Sequence, residues 1–334
     1  MSDYYADKID LLRDIFGADS VVVLPDGIEI DGRRYPIVDD VIVLLDPAQL
    51  PATLARHLAA TASESDGDGG DFAADIQSTF GREWQTFPEI LPEHEAEFRQ
   101  YFDLVDLEGL KGRRVADLGC GIGRWSHFLK AHADELVLVD FSEAIFVARR
   151  NLADADNAVF LMADLLQMPL RAGFADFAFC LGVAHHLPID ALEAVRRLSR
   201  YAPRVLVYLY SALDGHPIHY RLLMRPVDAL RRAVCRVESE AFRTGFSWLA
   251  TGLLYLPMIG IGHLLRPLSL SRYVPLFDFY QGKSLNRIRQ DAYDRFFTRI
   301  EQRFSRRDIA ELGDTFSSIE ISSGIPMWHF VCER

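Results

Sequence analysis

The middle third of the chain carries three acids, Asp117, Asp140 and Asp164, and a histidine pair, His185 and His186, whose positions suit chemistry. Each acid follows a short apolar run, in "RRVADL", "ELVLVD" and "FLMAD". After the first run comes "GCGIG", in which Gly119, Gly121 and Gly123 alternate. A strand-to-helix turn of this kind brings backbone N–H groups against a ligand. Dinucleotides, nucleoside triphosphates and sulfonium nucleosides all bind at such turns. A dinucleotide site asks for G-x-G-x-x-G, whose third glycine would stand where this chain has Arg124. No Lys-Ser or Lys-Thr follows, which excludes a triphosphate-binding loop. Asp140 stands at the tip of the second strand, 21 residues beyond Gly119, where a carboxylate accepts hydrogen bonds from a ribose diol. Asp164 follows the third strand, where a carboxylate can accept from an adenine amino group. Taken singly, Asp117 also reads as a helix cap and Asp164 as a turn residue. The histidines follow the fourth strand in "FCLGVAHHL". They read either as a base for an acceptor's proton or as pocket walls that cap the next helix.

These residues need a frame. Strand candidates at 113–118, 135–140, 158–162, 175–181 and 204–210 alternate with helical stretches near 123–133, 142–153 and 189–201. Continuous apolar strands between helices predict an α/β fold with a parallel sheet covered on both faces. After 210 come about a hundred mostly helical, aromatic-rich residues. The pattern then resumes with "SRRDIAELG", where Ser305 suits an N-cap, and two strands, "FSSIEIS" and "MWHFVCE". An insertion before the last strands of such a sheet is placed to cover the site. Earlier, residues 20–46 read as short strands with Asp31-Gly32 as a turn, "TASESDGDGGD" as a linker, and 93–103 as an amphipathic helix.

The motifs "VADLGCGIG", "LVLVDFS", "MADLLQMP" and "FADFAFCLGVAHHLP" resemble, in order and spacing, those of the class I S-adenosylmethionine-dependent methyltransferases, including those of ubiquinone and menaquinone biosynthesis. The resemblance covers roughly residues 80–334. It implies a Rossmann-like, doubly wound, mostly parallel seven-stranded sheet with a helical lid at 211–290. It also implies S-adenosylmethionine as cofactor. Gly119, Cys120 and Gly121 would lie against the methionine moiety, with Asp117 near its amino group. Asp140 would hold the ribose, with Phe141 against the adenine; Asp164 would read the adenine amine beside Leu165, and Leu181 would complete the wall. His185 or His186 would be a general base if the acceptor must lose a proton. Among the aromatics Tyr4, Tyr5, Trp84, Tyr208, Tyr210, Tyr280 and Trp328, core packing is the default, and Trp84 and Tyr210 are the substrate-pocket candidates.

Residues 1–60 are expected to form a small β-rich domain, followed by a linker over 61–79 and the catalytic domain over 80–334. "DGIEIDGRRYPIVDDVIVLL" resembles the zinc-ribbon-like activator domain of some RNA and protein methyltransferases. That family's metal cysteines are missing, since no Cys precedes Cys120, so no metal is expected. The four cysteines show no pairing pattern, and the N-terminal "MSDYYADKID" has no apolar signal segment, which together suit a cytoplasmic protein. The 334 residues carry a formal net charge of −12, unevenly spread: 24 acids against 7 bases in residues 1–110, but 16 bases against 8 acids in 221–309. An acidic front argues against nucleic acid as a partner. The Arg-rich flank, with Arg221, Arg225, Arg231 and Arg232, reads as a solvated helix face or as a contact for an anionic group or membrane surface. "FSWLATGLLYLPMIGIGHLL" is long enough to span a bilayer, but Pro257 and three glycines interrupt it and both flanks must return to one sheet. It is therefore expected as a buried or membrane-resting lid that forms an apolar acceptor pocket. The sequence favours a methyltransferase for a small or medium-sized apolar or aromatic, quinone-like or lipid-linked metabolite. Cyclisation or elimination of the donor, or a donor-binding protein without catalysis, are the alternatives. Nothing in the sequence speaks to oligomeric state.

Overall fold

The computed structural model describes residues 3–59, 71–213, 218–324 and 327–334. The strands are β1 (Val21–Leu24), β2 (Gly27–Ile30), β3 (Arg33–Val38), β4 (Val41–Val43), β5 (Arg114–Leu118), β6 (Glu135–Asp140), β7 (Ala158–Met162), β8 (Phe177–Leu181), β9 (Arg204–Ser211), β10 (Arg303–Phe304), β11 (Ser318–Ile321) and β12 (Trp328–Glu333). They form one mixed sheet in the order β1-β2-β3-β4-β7-β6-β5-β8-β9-β12-β11, with the short β10 beside the end of β9. Pairing is parallel from β4 through β7, β6, β5 and β8 to β9, and antiparallel where β12 and β11 close the far edge.

The helices are α1 (Ile9–Phe16), α2 (Ala52–Ala59), α3 (Asp71–Thr86), α4 (Glu93–Tyr101), α5 (Arg124–Leu129), α6 (Ala144–Asn151), α7 (Ala191–Leu198), α8 (Ile218–Val234), α9 (Glu240–Ala250), α10 (Leu256–Leu265), α11 (Phe277–Tyr280), α12 (Leu285–Phe297) and α13 (Arg306–Ala310). Because successive strand residues point to opposite faces, Ala116, Val137 and Val139 enter one core while Val115, Leu136 and Leu138 enter the other. That double burial is why these strands are apolar throughout. The chain builds outward from β5 to β6 and β7, then returns to the other side of β5 with β8. A crevice opens at the carboxyl ends of the strands where the order reverses, and ligands of open α/β sheets bind there. Ser305 caps α13 in a reciprocal capping box with Asp308.

The N-terminal strands are present as an antiparallel meander, but they extend the central sheet instead of standing apart from it. β4 pairs with β7, Ile42 opposite Leu161, so the meander covers an edge that would otherwise be unpaired. Leu12, Ile15, Ile28 and Ile42 share a core with Val159 and Leu161. Tyr5 donates its hydroxyl to the Asp40 carbonyl at 2.7 Å and accepts from the Phe160 N–H at 3.2 Å. Tyr4 and Tyr5 are thus packing residues of this junction. Of the linker expected over 61–79, residues 61–70 lie outside the described residues, and the rest belongs to α3.

The insertion is helical. Pro257 and the glycines do not break it: α9 runs through a π-helical turn at Thr251–Tyr255 into α10, with Pro257 in the first turn of α10. A proline there has no N–H to leave unpaired, and the wider turn makes room for its ring. α12 folds back under this long helix and packs Tyr293, Phe296 and Phe297 with Phe87 of the segment after α3.

Candidate active site

One cavity occupies the crevice at the strand ends. Gly119 enters it directly after β5 with φ +86°, and a Cβ there would lie 2.5 Å from the Val183 side chain. Only glycine allows both the left-handed backbone and that approach. Gly121, at φ +54°, donates its N–H to Asp140 Oδ2 at 2.8 Å. Asp140 Oδ1 accepts from the backbone N–H and the hydroxyl of Ser142, at 2.8 and 2.7 Å. The carboxylate at the tip of β6 therefore holds the glycine turn in shape as well as facing the cavity. Burial pushes its carboxyl up, against the downward pull of these donors.

Asp117 lies behind the turn. It is buried, accepts from Ser126 Oγ at 2.7 Å, and is not part of the cavity wall. Burial, opposed by that hydrogen bond and assisted by nearby Asp140, pushes its carboxyl up to about 8. Gly119, Cys120, Gly121, Asp140, Phe141, Asp164, Leu165 and Leu181 all line the cavity. Asp164 accepts the Leu166 N–H at 2.9 Å and the Gln49 side-chain amide at 3.4 Å. Gln77 of α3 donates to the carbonyls of Gln49 and Phe141, at 2.9 and 2.8 Å. Gln49 and Gln77 come from the N-terminal third, and no motif in their own segments marked them.

The histidines part company. His186 lines the cavity, and its Nδ1–H donates to the Ile300 carbonyl at 2.7 Å, which leaves Nε2 as the ring's lone-pair nitrogen. His185 is fully buried off the cavity wall, its ring 4.1 Å from both the His186 and Tyr210 rings. Neither of its ring nitrogens has a hydrogen-bond partner, and burial drives its pKa well below the usual histidine range. It is a neutral packing group here.

Trp84 and Tyr210 both face the cavity, with Tyr208 and Tyr280. Trp328 instead ties its indole N–H to the Phe304 carbonyl at 2.6 Å. The cavity wall is apolar in good part, with Phe80, Leu276, Phe279 and Met327 on it, and it also carries charge. α12 turns Arg287, Gln290, Asp291, Asp294 and Arg295 to the cavity, opposite Glu83 of α3. The cations are already matched: Arg287 pairs with Glu97 and Asp291, Lys283 with Glu97, and Arg295 with Glu301. Asp294 accepts from the Tyr210 hydroxyl at 3.1 Å and from Thr298 Oγ1 at 3.0 Å. Glu83, 2% exposed, keeps Oε2 without a partner. Burial first, then the charges of Asp294 and Asp291, hold its carboxyl well above the usual range. One signal in the sequence could have shown this: Arg287, Asp291, Asp294 and Thr298 follow one another at helical spacing between apolar residues.

Residues 115–202 match the profile of a protein family described as "Methyltransferase domain". The "Ubiquinone biosynthesis O-methyltransferase" of Aromatoleum aromaticum is 33% identical over 114 residues, which are 33% of this chain and 48% of that protein. The chain thus spans about half the length of the curated relative it matches. Among solved structures, the DhpI–SAH complex is 16% identical and covers 80% of this chain and 98% of its own, at a TM-score of 0.47. The 1,6-didemethyltoxoflavin-N1-methyltransferase of Burkholderia thailandensis is 13% identical and covers 81% and 91%, at 0.44. The domain match covers the glycine turn and Asp117, Asp140 and Asp164.

Proposed function

We propose that the protein transfers a methyl group from S-adenosylmethionine to a small or medium-sized acceptor that enters between α3, the end of β9 and α12. The observation that carries this reading is a cavity lined by the glycine turn and Asp140 and also by Tyr208, Tyr210 and Glu83, with Trp84 lying against Gly121. A protein that only rearranged its donor would need no second, differently lined end.

The residues fit the cofactor. Asp140 would hold the ribose, Asp164 with Gln49 the adenine amine, and Phe141, Leu165 and Leu181 the ring faces. Gly119, Cys120 and Gly121 would lie against the methionine end, with Asp117 behind them. Bound there, S-adenosylmethionine supplies an electrophilic methyl group on a positively charged sulfur. The protein's main task is alignment with exclusion of water, and orientation alone can supply about 7–11 kcal/mol. The segment 211–290 serves as the lid, since its Leu276, Phe279 and Tyr280 wall the cavity.

If the acceptor carries an O–H or N–H to be lost, Glu83 and Asp294 are better placed than His185 to receive the proton. Burial and the neighbouring Asp294 and Asp291 raise the proton affinity of Glu83 above that of an ordinary carboxylate, and its Oε2 has no partner within the fold. Tyr210, held protonated by burial, donates to Asp294 and fixes its orientation. His186, with Nε2 available, is the third candidate. The aromatic walls suit a ring-bearing acceptor, and the carboxylates a group that gives up a proton.

The test is incubation of the enzyme with methyl-labelled donor and a cell metabolite extract, with product identification by mass spectrometry. A labelled acceptor supports the reading. Methylthioadenosine formed without any acceptor, or donor binding with no turnover of any extract, would overturn it.

A further inference from the structure

The helix that runs from Glu240 to Leu268 is built inside out. It has 29 residues, and its most apolar 18-residue stretch has a mean hydropathy of 1.5 yet is only 22% buried. The side it turns to the protein carries Arg243, Ser247, Thr251 and Tyr255, all buried. Within the fold Arg243 Nε donates to the Val237 carbonyl, Thr251 Oγ1 donates to the Ser247 carbonyl, and Ser247 Oγ accepts from Arg289. The opposite side carries Trp248, Leu249, Leu253, Leu256, Ile261 and Leu264 at helical spacing. Leu249 is 56% exposed, Leu253 65% and Leu264 76%. α8 adds Ile218, Leu222 and Leu223, also exposed. A soluble surface helix has the reverse arrangement, and apolar patches of this extent mark an interaction site.

Charge says what lies on it. From Ala241 to Phe277 there is no acid, and between Arg243 and Arg266 no charged side chain of any kind. The rim is cationic, with exposed Arg225 and Arg232 on α8 and Arg266 and Arg272 beyond α10. This stands out in a chain whose net charge is −12. Apolar side chains ringed by arginines, with a tryptophan among them, match the boundary between lipid headgroups and acyl chains. A second copy of the chain would bring the same arginines together.

The helix does not cross. At its start Glu240 pairs with Arg82 of α3 at 3.6 Å, and near its end Gly262 is pressed against Phe277 of α11. Both ends are anchored on the same body, so the helix can only lie along a surface.

We propose that the outward face of α8, α9 and α10 seats the protein on the surface of an anionic lipid bilayer, with the leucines among the upper acyl chains and the arginines at lipid phosphates. This does not depend on the catalytic reading. α11, which follows directly, supplies Phe279 and Tyr280 to the cavity, so a seated protein would hold its acceptor entrance beside the membrane.

The test is co-sedimentation of the full chain with vesicles of phosphatidylcholine alone or mixed with phosphatidylglycerol. The wild type should pellet with the mixed vesicles and partition at least ten-fold less onto the neutral ones. Leu249→Ser/Leu253→Ser/Leu264→Ser alters exposed positions only, so its melting temperature and donor affinity should stay unchanged while partitioning falls at least ten-fold. Arg266→Glu/Arg272→Glu should abolish the preference for phosphatidylglycerol. Wild-type protein that stays in the supernatant with both vesicles would overturn the proposal, as would a triple variant that pellets like the wild type. A wild-type dimer in light scattering that the triple variant converts to monomer would assign the face to a second copy instead.

Discussion

The two ends of the cavity are made in different ways. The end built on the glycine turn comes from the tips of β5, β6, β7 and β8, each acid or glycine at or just after the end of the strand that positions it. The other end is assembled from α3, β9 and α12, elements up to about two hundred residues apart in sequence. The first is fixed by the hydrogen-bonded register of neighbouring parallel strands. The second depends on how α12 is held: its apolar side packs Tyr293, Phe296 and Phe297 with Phe87, and buried Glu97 on α4 pins Lys283 and Arg287 just before and on α12. A pocket so divided can keep one ligand constant while its other wall is free to change.

The sharpest way to test that division is at the far wall. Glu83→Gln and Asp294→Asn should lower kcat by roughly 10²–10⁴-fold, the usual worth of a general base, while the dissociation constant for S-adenosylmethionine by calorimetry stays within about two-fold. Equal losses in both quantities would erase the distinction between the ends.

Next comes the pin. Glu97→Gln leaves Lys283 without its counter-charge and Arg287 with Asp291 alone, and should cost about 3–5 kcal/mol in denaturant unfolding. Burial raises the Glu97 carboxyl, but Arg287 and Lys283 outweigh it and hold the pKa at about 2, below its ordinary 4.5. A lowered carboxylate stabilises fully above pH 4.5 and loses that contribution as pH falls through about 2. Acid unfolding of the wild type should therefore include a step that the variant lacks.

At the donor end, Asp140→Ala removes an acceptor for the ligand and also the staple on Gly121. Donor affinity should fall ten-fold or more, consistent with about 1.5–3 kcal/mol for hydrogen bonds to a charged group. An unchanged affinity would remove the case for the ribose contact.

The last effect concerns Asp117 and is read against pH. Its folded pKa of about 8 lies above its ordinary 3.8, so the folded protein keeps a proton that the unfolded chain has released. That contribution is complete below pH 3.8 and is lost as pH rises through about 8, at up to ~1.4 kcal/mol per pH unit. Asp117→Asn should flatten the fall in melting temperature between about pH 5 and pH 8.

What could be read from the chain itself is what is local. The apolar runs at 135–140 and 158–162 are β6 and β7 to the residue, because strands buried on both faces can hardly be anything else. The glycines, Asp140, Phe141, Asp164 and Leu165 follow those strands directly, so their order along the chain already sets their order around the crevice. Trp84 and Tyr210 line the cavity, but from segments whose own pattern says only that they are buried. Tertiary structure alone decided the rest. Burial set His185 behind His186, and pairing of β4 with β7 brought Gln49 to Asp164. Docking of α12 turned a stripe of charges to Glu83, and the same docking took up the polar side of the long helix and left its leucines outward. Spacing tells which residues share a face of a helix, but not which face meets the protein; that is settled by the partner it packs against.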